Sequence, residues 1–222
     1  MDHGPSISDP AFAQKRLRMA ETQIAARGIR DSRVLEAMKA VPREEFVPHD
    51  LRGEAYEDGP LPIGLGQTIS QPLTVAFMVQ ALKLKGDERI LEIGTGSGYG
   101  AAVLAHLARE VHTVERLAPL AAEAQARLAR LGYDNVQVHI GDGSLGWRRA
   151  APYGAICVTA APTVLPRALQ NQLAEGGRLV IPVGDSHRSQ TMMRYTLLGG
   201  KLCEEELGAF SFVPLIAGDS HL

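Results

Sequence analysis

Leu91-Glu92-Ile93-Gly94-Thr95-Gly96-Ser97-Gly98-Tyr99 decides how this chain of 222 residues is read. A short apolar run, Ile90-Leu91, leads into an acidic residue and then three alternating glycines. An apolar helical pattern follows from Ala101 to Leu107. The pattern is a strand, a tight turn and a helix. Glycines at such a turn allow positive φ and let a ligand touch bare backbone. The carboxyl end of a strand is where open α/β sheets bind nucleotide-like ligands.

The spacing narrows the ligand. Dinucleotide sites use G-x-G-x-x-G and seat a pyrophosphate on the helix N-terminus. Here the spacing is G-x-G-x-G, with Glu92 just before it. An acidic group repels a pyrophosphate and suits an ammonium. S-adenosylmethionine has adenosine, an α-amino group and a sulfonium, and no phosphate. Glu92, Gly94, Thr95, Gly96, Ser97 and Gly98 are therefore candidate cofactor contacts; the plain alternative is a tight strand-to-helix turn.

Two later strand tips point the same way. Val111-His112-Thr113-Val114 reads as a second strand ending in Glu115, whose carboxylate can accept both hydrogens of a ribose diol. Val136 to Ile140 reads as a third, running into Gly141-Asp142-Gly143, where Asp142 can bind the exocyclic amine of adenine. Each has a structural reading beside it: Glu115 as a surface ion pair, Asp142 as a turn residue.

Around this centre, strands and helices alternate. Strands are expected at 89–93, 111–115, 136–140, 155–159 and 178–183. Helices are expected at 98–108, 117–131 and 167–173, the last ended by Gly176-Gly177. Alternation of this kind implies a doubly wound, mostly parallel α/β sheet covered on both faces. Met192 to Leu198 and Lys201 to Leu207 read as an antiparallel hairpin about Gly199-Gly200. Phe210 to Ile216 contains Pro214 and is expected at a sheet edge.

Upstream, residues 1–10 read as a flexible tail and 11–26 as a helix. A second helix, 34–40, is capped by Asp31 and Ser32 and stopped by Pro42. Residues 43–66 read as loop, punctuated by proline and glycine. Pro72 opens a helix at a position proline favours. The expected organisation is a tail (1–10), a helical extension with the acceptor loop (11–72) and a cofactor-binding domain (73–222), the last two forming one compact unit.

Composition bounds the rest. The chain is 45% hydrophobic, enough for one sizeable core. A net charge of −2 offers no basic field for nucleic acid. Cys157 and Cys203 lack metal-ligand spacing and read as free thiols of a reducing compartment. No apolar run approaches the ~20 residues that span a bilayer, and Met1 to Pro10 lacks the apolar core of a signal peptide. A cytoplasmic protein without metal follows, its oligomeric state open and a monomer compatible. His106, His112 and His139 fall in regular elements and read as packing or surface groups; His187 lies in a polar loop.

Gly66-Gln67-Thr68-Ile69-Ser70-Gln71-Pro72 is a segment the alternating fold does not require. Ser70 or Gln71 can cap the helix that Pro72 opens. The functional alternative is an acceptor corner, with a hydroxyl and free N–H groups for a carboxylate.

With this segment the chain resembles the protein-L-isoaspartate O-methyltransferases. The resemblance runs from Arg27-Gly28-Ile29 through Val41-Pro42-Arg43-Glu44-Glu45-Phe46-Val47-Pro48 to Pro214. Its strings include the two glycine-bearing segments above, Thr113-Val114-Glu115-Arg116, Gly141-Asp142-Gly143, Val158-Thr159-Ala160-Ala161 and Phe212-Val213-Pro214-Leu215. It implies methyl transfer from S-adenosylmethionine to the free carboxylate of L-isoaspartyl residues in damaged proteins, leaving S-adenosylhomocysteine. The ester then collapses through a succinimide toward aspartate. It further implies Ser70 as the active-site residue. Gln67, Thr68, Ile69, Arg116, Gly143 and Thr159 join the cofactor contacts, and Ile63, Ala160, Ala161 and Val213 fall on the acceptor side.

The chemistry agrees. A carboxylate with a pKa near ~4 is ionised at pH 7 and needs no strong base. Positioning and water exclusion carry the rate. Thr159-Ala160-Ala161-Pro162 replaces the Asn/Asp-Pro-Pro-aromatic segment of many amine methyltransferases, which argues against an amine acceptor. A small-molecule or RNA methyltransferase on the same fold, a non-catalytic cofactor-binding module and, third, a nicotinamide oxidoreductase are the rivals. Gly100 and Gly154 depart from the family's usual Gln and Asp. Gly154 is expected to weaken its strand.

Overall fold

The computed structural model describes residues 9–185 and 190–218. The chain starts a helix earlier than expected. Asp9 accepts from the Ala11 N–H, and Pro10 occupies the first turn of α1, Pro10–Arg18. Asp9 and Pro10, expected in the tail, thus belong to the helix start; residues 1–8, like His187, lie outside the described ones. The helical path continues through a π segment, Met19–Ile24, and a 3₁₀ turn, Ala25–Arg27, ended by Gly28 in the left-handed region. Asp31 caps α2, Ser32–Ala40, through the Arg33 N–H.

Residues 43–66 are more ordered than a loop. Two 3₁₀ turns, Arg43–Phe46 and His49–Glu54, precede a small antiparallel hairpin of β1, Leu61–Gly64, and β2, Gln67–Ile69. Strands of four and three residues with a proline among them carry too little alternation to be read from sequence. α3, Pro72–Ala81, follows, with Pro72 in its first turn.

The alternating core is then β3 Arg89–Ile93, α4 Tyr99–Ala105, β4 Glu110–Glu115, α5 Ala118–Arg130, β5 Val136–Ile140, β6 Tyr153–Val158, α6 Arg167–Gln170 and β7 Leu173–Val183. The hairpin β8, Gln190–Leu198, and β9, Lys201–Phe210, completes a seven-stranded sheet of order β5-β4-β3-β6-β7-β8-β9. The first five of these are parallel; β8 and β9 are antiparallel. The sixth helix is shorter than expected. Gly176-Gly177 does not end it but lies within β7, where the pairing to β6 shifts register.

Alternation along the strands assigns the two faces. Ile90, Val111, Cys157 and Val180 pack with the helices α2 to α5, whereas Leu91, Ile93, Ile156 and Leu179 pack with α6 and Trp147. The C-terminal end of α3 is tied down by arginines. Arg194 donates to the Ala81 carbonyl, Arg178 to Leu82 and Lys83, and Arg33 to Leu84. Cations there satisfy orphan carbonyls and suit the helix dipole. Gly154 has a packing reason: a Cβ would lie 2.8 Å from Glu88 Cγ, so the Glu88 stem occupies the space a side chain would need.

The chain runs outward from β3 through β4 to β5, then returns to β6 on the other side of β3. That reversal opens a crevice at the carboxyl ends of β3 and β6, the position where open sheets bind ligands.

Candidate active site

A cleft open to solvent lies at this reversal. Its floor is the glycine turn. Gly94, Gly96 and Gly98 have φ of 93°, 52° and 92°. Each is also a close approach: a Cβ on Gly94 would overlap Thr159 Oγ1, one on Gly96 would sit 3.2 Å from Ile63 Cδ1, and one on Gly98 3.2 Å from Leu128 Cδ1. Thr159 joins the two strands across the crevice, its hydroxyl lying 3.0 Å from the Ile93 carbonyl and 2.9 Å from that of Gly94.

Glu115 stands at the tip of β4. Its Oε2 accepts from Gly96 N–H at 2.9 Å and its Oε1 from Leu117 N–H at 3.0 Å. Two backbone donors hold the carboxylate, and each oxygen keeps a lone pair for a further donor. Glu92 lies deeper, only 1% exposed. Thr113 Oγ1 donates to its Oε2 at 2.6 Å, and Thr95 Oγ1 lies 2.7 Å from Thr113 Oγ1. With Thr113 committed to Glu92, Thr95 is the donor in that pair. Burial pushes the Glu92 carboxyl up to about 8, aided by the Glu115 charge and opposed by the Thr113 bond. Gly100 belongs to the same arrangement. Its missing Cβ leaves room for Glu92 Oε1.

The opposite wall is formed by β2 and the residue that succeeds it. Gln67, Thr68, Ile69 and Ser70 line the cleft. Ser70 does not cap α3; Gln71 holds the cap position and makes no side-chain cap bond. Among the described residues the Ser70 hydroxyl makes no hydrogen bond, while its carbonyl accepts from Arg43. The third wall comes from the end of the described chain. Of the segment Phe210 to Ile216, expected at a sheet edge, Phe210 ends the edge strand β9, and the residues after it leave the sheet and cross the carboxyl end of β6. Pro214 forms a parallel bridge with Ala161, whose N–H donates to the Val213 carbonyl and whose carbonyl accepts from Leu215 N–H, both at 2.8 Å.

Of the residues named from sequence, Gln67, Thr68, Ile69, Ser70, Glu92, Gly94, Thr95, Gly96, Ser97, Glu115, Arg116, Gly143, Thr159, Ala160 and Val213 line this one cleft. Gly98, Ile63 and Ala161 stand one layer back. Asp142 is differently engaged. Its Oδ1 accepts from Ser144 N–H and Oγ–H, and its Oδ2 from Gly218 N–H at 2.7 Å. Burial works against its ionised form, but these donors outweigh it and hold the carboxyl below its usual range. Gly143, not Asp142, meets the cleft.

Sequence reasoning missed Tyr99, Val114, Leu117 and the Pro214-Leu215-Ile216 wall. The usable signal was the apolar run 212–216, which comes after a hairpin and has no strand left to pair with. His112 and His139 lie elsewhere, hydrogen-bonded to each other at 2.9 Å, with His139 stacked on Trp147 at a centroid distance of 4.0 Å. Among the described residues no cluster of three His, Cys, Asp or Glu side chains could hold a metal ion.

The sequence model described as protein-L-isoaspartate(D-aspartate) O-methyltransferase matches residues 14–220. The chain belongs to the protein-L-isoaspartate O-methyltransferase family. The Synechococcus sp. (strain JA-2-3B'a(2-13)) protein-L-isoaspartate O-methyltransferase is 62% identical over 82% of this chain and 74% of its own. Protein-L-isoaspartate O-methyltransferase 1 of Rhodopseudomonas palustris (strain HaA2) is 55% identical over 97% and 89%. Among solved structures, a protein-L-isoaspartate O-methyltransferase superposes with a TM-score of 0.81 at 29% identity, covering 93% of this chain and 66% of that one. The putative family member from Plasmodium falciparum, solved in complex with S-adenosyl-L-homocysteine, gives 0.79 at 25% identity over 90% and 98%. The match to the family model thus spans nearly the whole described chain, residues 66–72 and 212–218 included.

Proposed function

We propose that the cleft methylates L-isoaspartyl side chains, with Ser70 on the acceptor wall and the glycine turn on the donor wall. The protein is an S-adenosylmethionine-dependent methyltransferase of isoaspartyl-bearing proteins. The observation that carries the assignment of roles is that Ser70, its hydroxyl unengaged, and the glycine turn line the same cleft.

The residues fit the cofactor. Glu115, held by two backbone donors, has acceptor capacity left for a ribose diol. Glu92 offers a buried carboxyl for an ammonium, whose charge would favour the ionised form. Ile93, Val114, Leu117 and Leu215 supply apolar walls for a purine, and Gly143 lets it approach the backbone. Asp142 ties Gly218 over this end through Oδ2, which keeps a lone pair for the exocyclic amine of adenine. When bound, S-adenosylmethionine supplies a methyl carbon activated by a sulfonium.

The protein's own work is orientation. The acceptor carboxylate arrives ionised. The Ser70 hydroxyl donates to one of its oxygens and leaves the other free to face the donor wall. Ala160 and Val213 border the acceptor and exclude water. No side chain needs to take a proton. We place this reaction in the cytoplasm, a reading supported by the free thiols Cys157 and Cys203; among the described residues no helix is long and apolar enough to cross a membrane. Residues 11–72 and 73–222 act as one unit, sharing one apolar cluster from Met19 to Met192.

The test is an isoaspartyl peptide against its aspartyl twin, with label carried into base-labile esters on the first alone. Ser70→Ala should then lower kcat about tenfold, the loss of one charge-assisted hydrogen bond, with cofactor Kd unchanged. Unaltered kinetics would reduce Ser70 to a loop residue.

A further inference from the structure

The stretch Pro42-Arg43-Glu44-Glu45-Phe46 carries one side chain that neither wall of the cleft uses directly. Arg43 is fully buried. Its Nε donates to the Ala55 carbonyl at 2.7 Å and its Nη2 to the Ser70 carbonyl at 2.9 Å. The guanidinium carbon sits 4.8 Å from the centroid of the Tyr99 ring. Tyr99 is the first residue of α4, directly behind the glycine turn, and lines the cleft. One planar cation therefore touches both the peptide of the acceptor residue and the helix that carries the donor turn.

Stability is a poor reason for such a group. Among the described residues Arg43 forms no ion pair, and its Nη1 finds no hydrogen-bond partner. A buried cation without a counter-ion is costly, and an apolar side chain of similar volume commonly does as well or better for folding. A rigid fork is instead suited to holding two carbonyls at a set angle, which a lysine ammonium cannot do.

We propose that Arg43 is a positioning residue for methyl transfer: it fixes the Ser70 peptide against the first turn of α4, so that the Ser70 hydroxyl presents the acceptor carboxylate to the donor wall. This rests on the role given to Ser70 above. Ser70 sits between β2 and Pro72 with no side-chain bond among the described residues, so the Arg43 bond is the side-chain tether that aims it. Arg43 acts through Ser70 and touches neither substrate nor cofactor.

The test is a double-mutant cycle of Arg43→Lys and Ser70→Ala, each measured for kcat and KM on an isoaspartyl peptide and for cofactor Kd by calorimetry. Arg43→Lys should lower kcat about tenfold with cofactor Kd within twofold, and should cost nothing further in the Ser70→Ala background, because linked residues are not additive. Multiplying losses, or a parallel loss of cofactor affinity, would make Arg43 a structural residue and overturn the proposal. Wild-type kinetics in Ser70→Ala alone would instead remove the Ser70 reading, and the Arg43 proposal with it. If Arg43→Lys does not fold, Arg43→Met removes the buried charge and carries the same cycle, with the same outcomes deciding.

Discussion

The donor wall and the acceptor wall of the cleft are built by different means. The donor wall is made of strand tips: β3 and β4 end side by side, and Glu115 holds the glycine turn through Gly96 while its other oxygen accepts from Leu117 just beyond β4. Its parts are neighbours in the sheet. The acceptor wall is assembled from a short hairpin, a buried arginine and a segment that crosses from beyond β9. Its parts meet through isolated long-range bonds, such as Arg43 to Ser70 and Ala161 to Val213. A fold shared by many chemistries can keep the first kind of wall, whereas the second kind is where the proposed acceptor specificity would reside.

The sharpest way to break this contrast is Glu115→Ala. It should remove two backbone anchors and the acceptor proposed for the ribose together. Hydrogen bonds to charged groups contribute about 1.5–3 kcal/mol, so cofactor Kd by calorimetry should rise about 10–100-fold. KM for the peptide, measured at saturating cofactor, should move far less. A large peptide effect at unchanged cofactor affinity would mean that the two walls are not separable.

A second test concerns the buried acid. The folded state raises the Glu92 pKa to about 8 from an ordinary carboxyl value near 4.5. Protonated Glu92 is thus the favoured folded form without ligand. Its contribution is complete below pH about 4.5 and is lost as pH rises through 8. Unfolding followed from pH 5 to 8 should show Glu92→Gln gaining on the parent by about 1–2 kcal/mol. The ceiling is about 1.36 kcal/mol for each pH unit, lowered by relaxation and entering water. A difference constant with pH would show that Glu92 is ionised throughout.

The smallest effect belongs to Thr159→Val. The hydroxyl contacts the carbonyls of Ile93 and Gly94 inside the fold. Its loss should cost about 1 kcal/mol in denaturant unfolding, with Kd nearly constant. A strong loss of binding would move Thr159 from scaffold to ligand contact.

The same contrast governs what could be read from sequence. The donor wall was legible because local chemistry writes it: an apolar run for each strand, glycines for positive φ, an acid at each tip. The parallel direction of the strands followed from the alternation of strands and helices. The hairpin 61–69 was not legible, because strands this short depend on partners far away in sequence. Asp142 was legible only as an alternative. A carboxylate after a strand is equally suited to a ligand or to its own turn, and the competitor that engaged it, the Gly218 N–H, lies 76 positions away. Gly100 and Gly154, read as departures, both prove to make room for carboxylate-bearing side chains, Glu92 and Glu88.

The tie between Gly218 and Asp142 gives the cleft an order of construction. During synthesis β3, β4 and β5 leave the ribosome well before Val213 to Gly218 do, so the floor can fold while one side still stands open. Affinity for the cofactor, if seated as proposed, should therefore appear only when residues 213–218 emerge. A fusion joined close behind Gly218 would pull on its bond to Asp142 and so on the loop after β5.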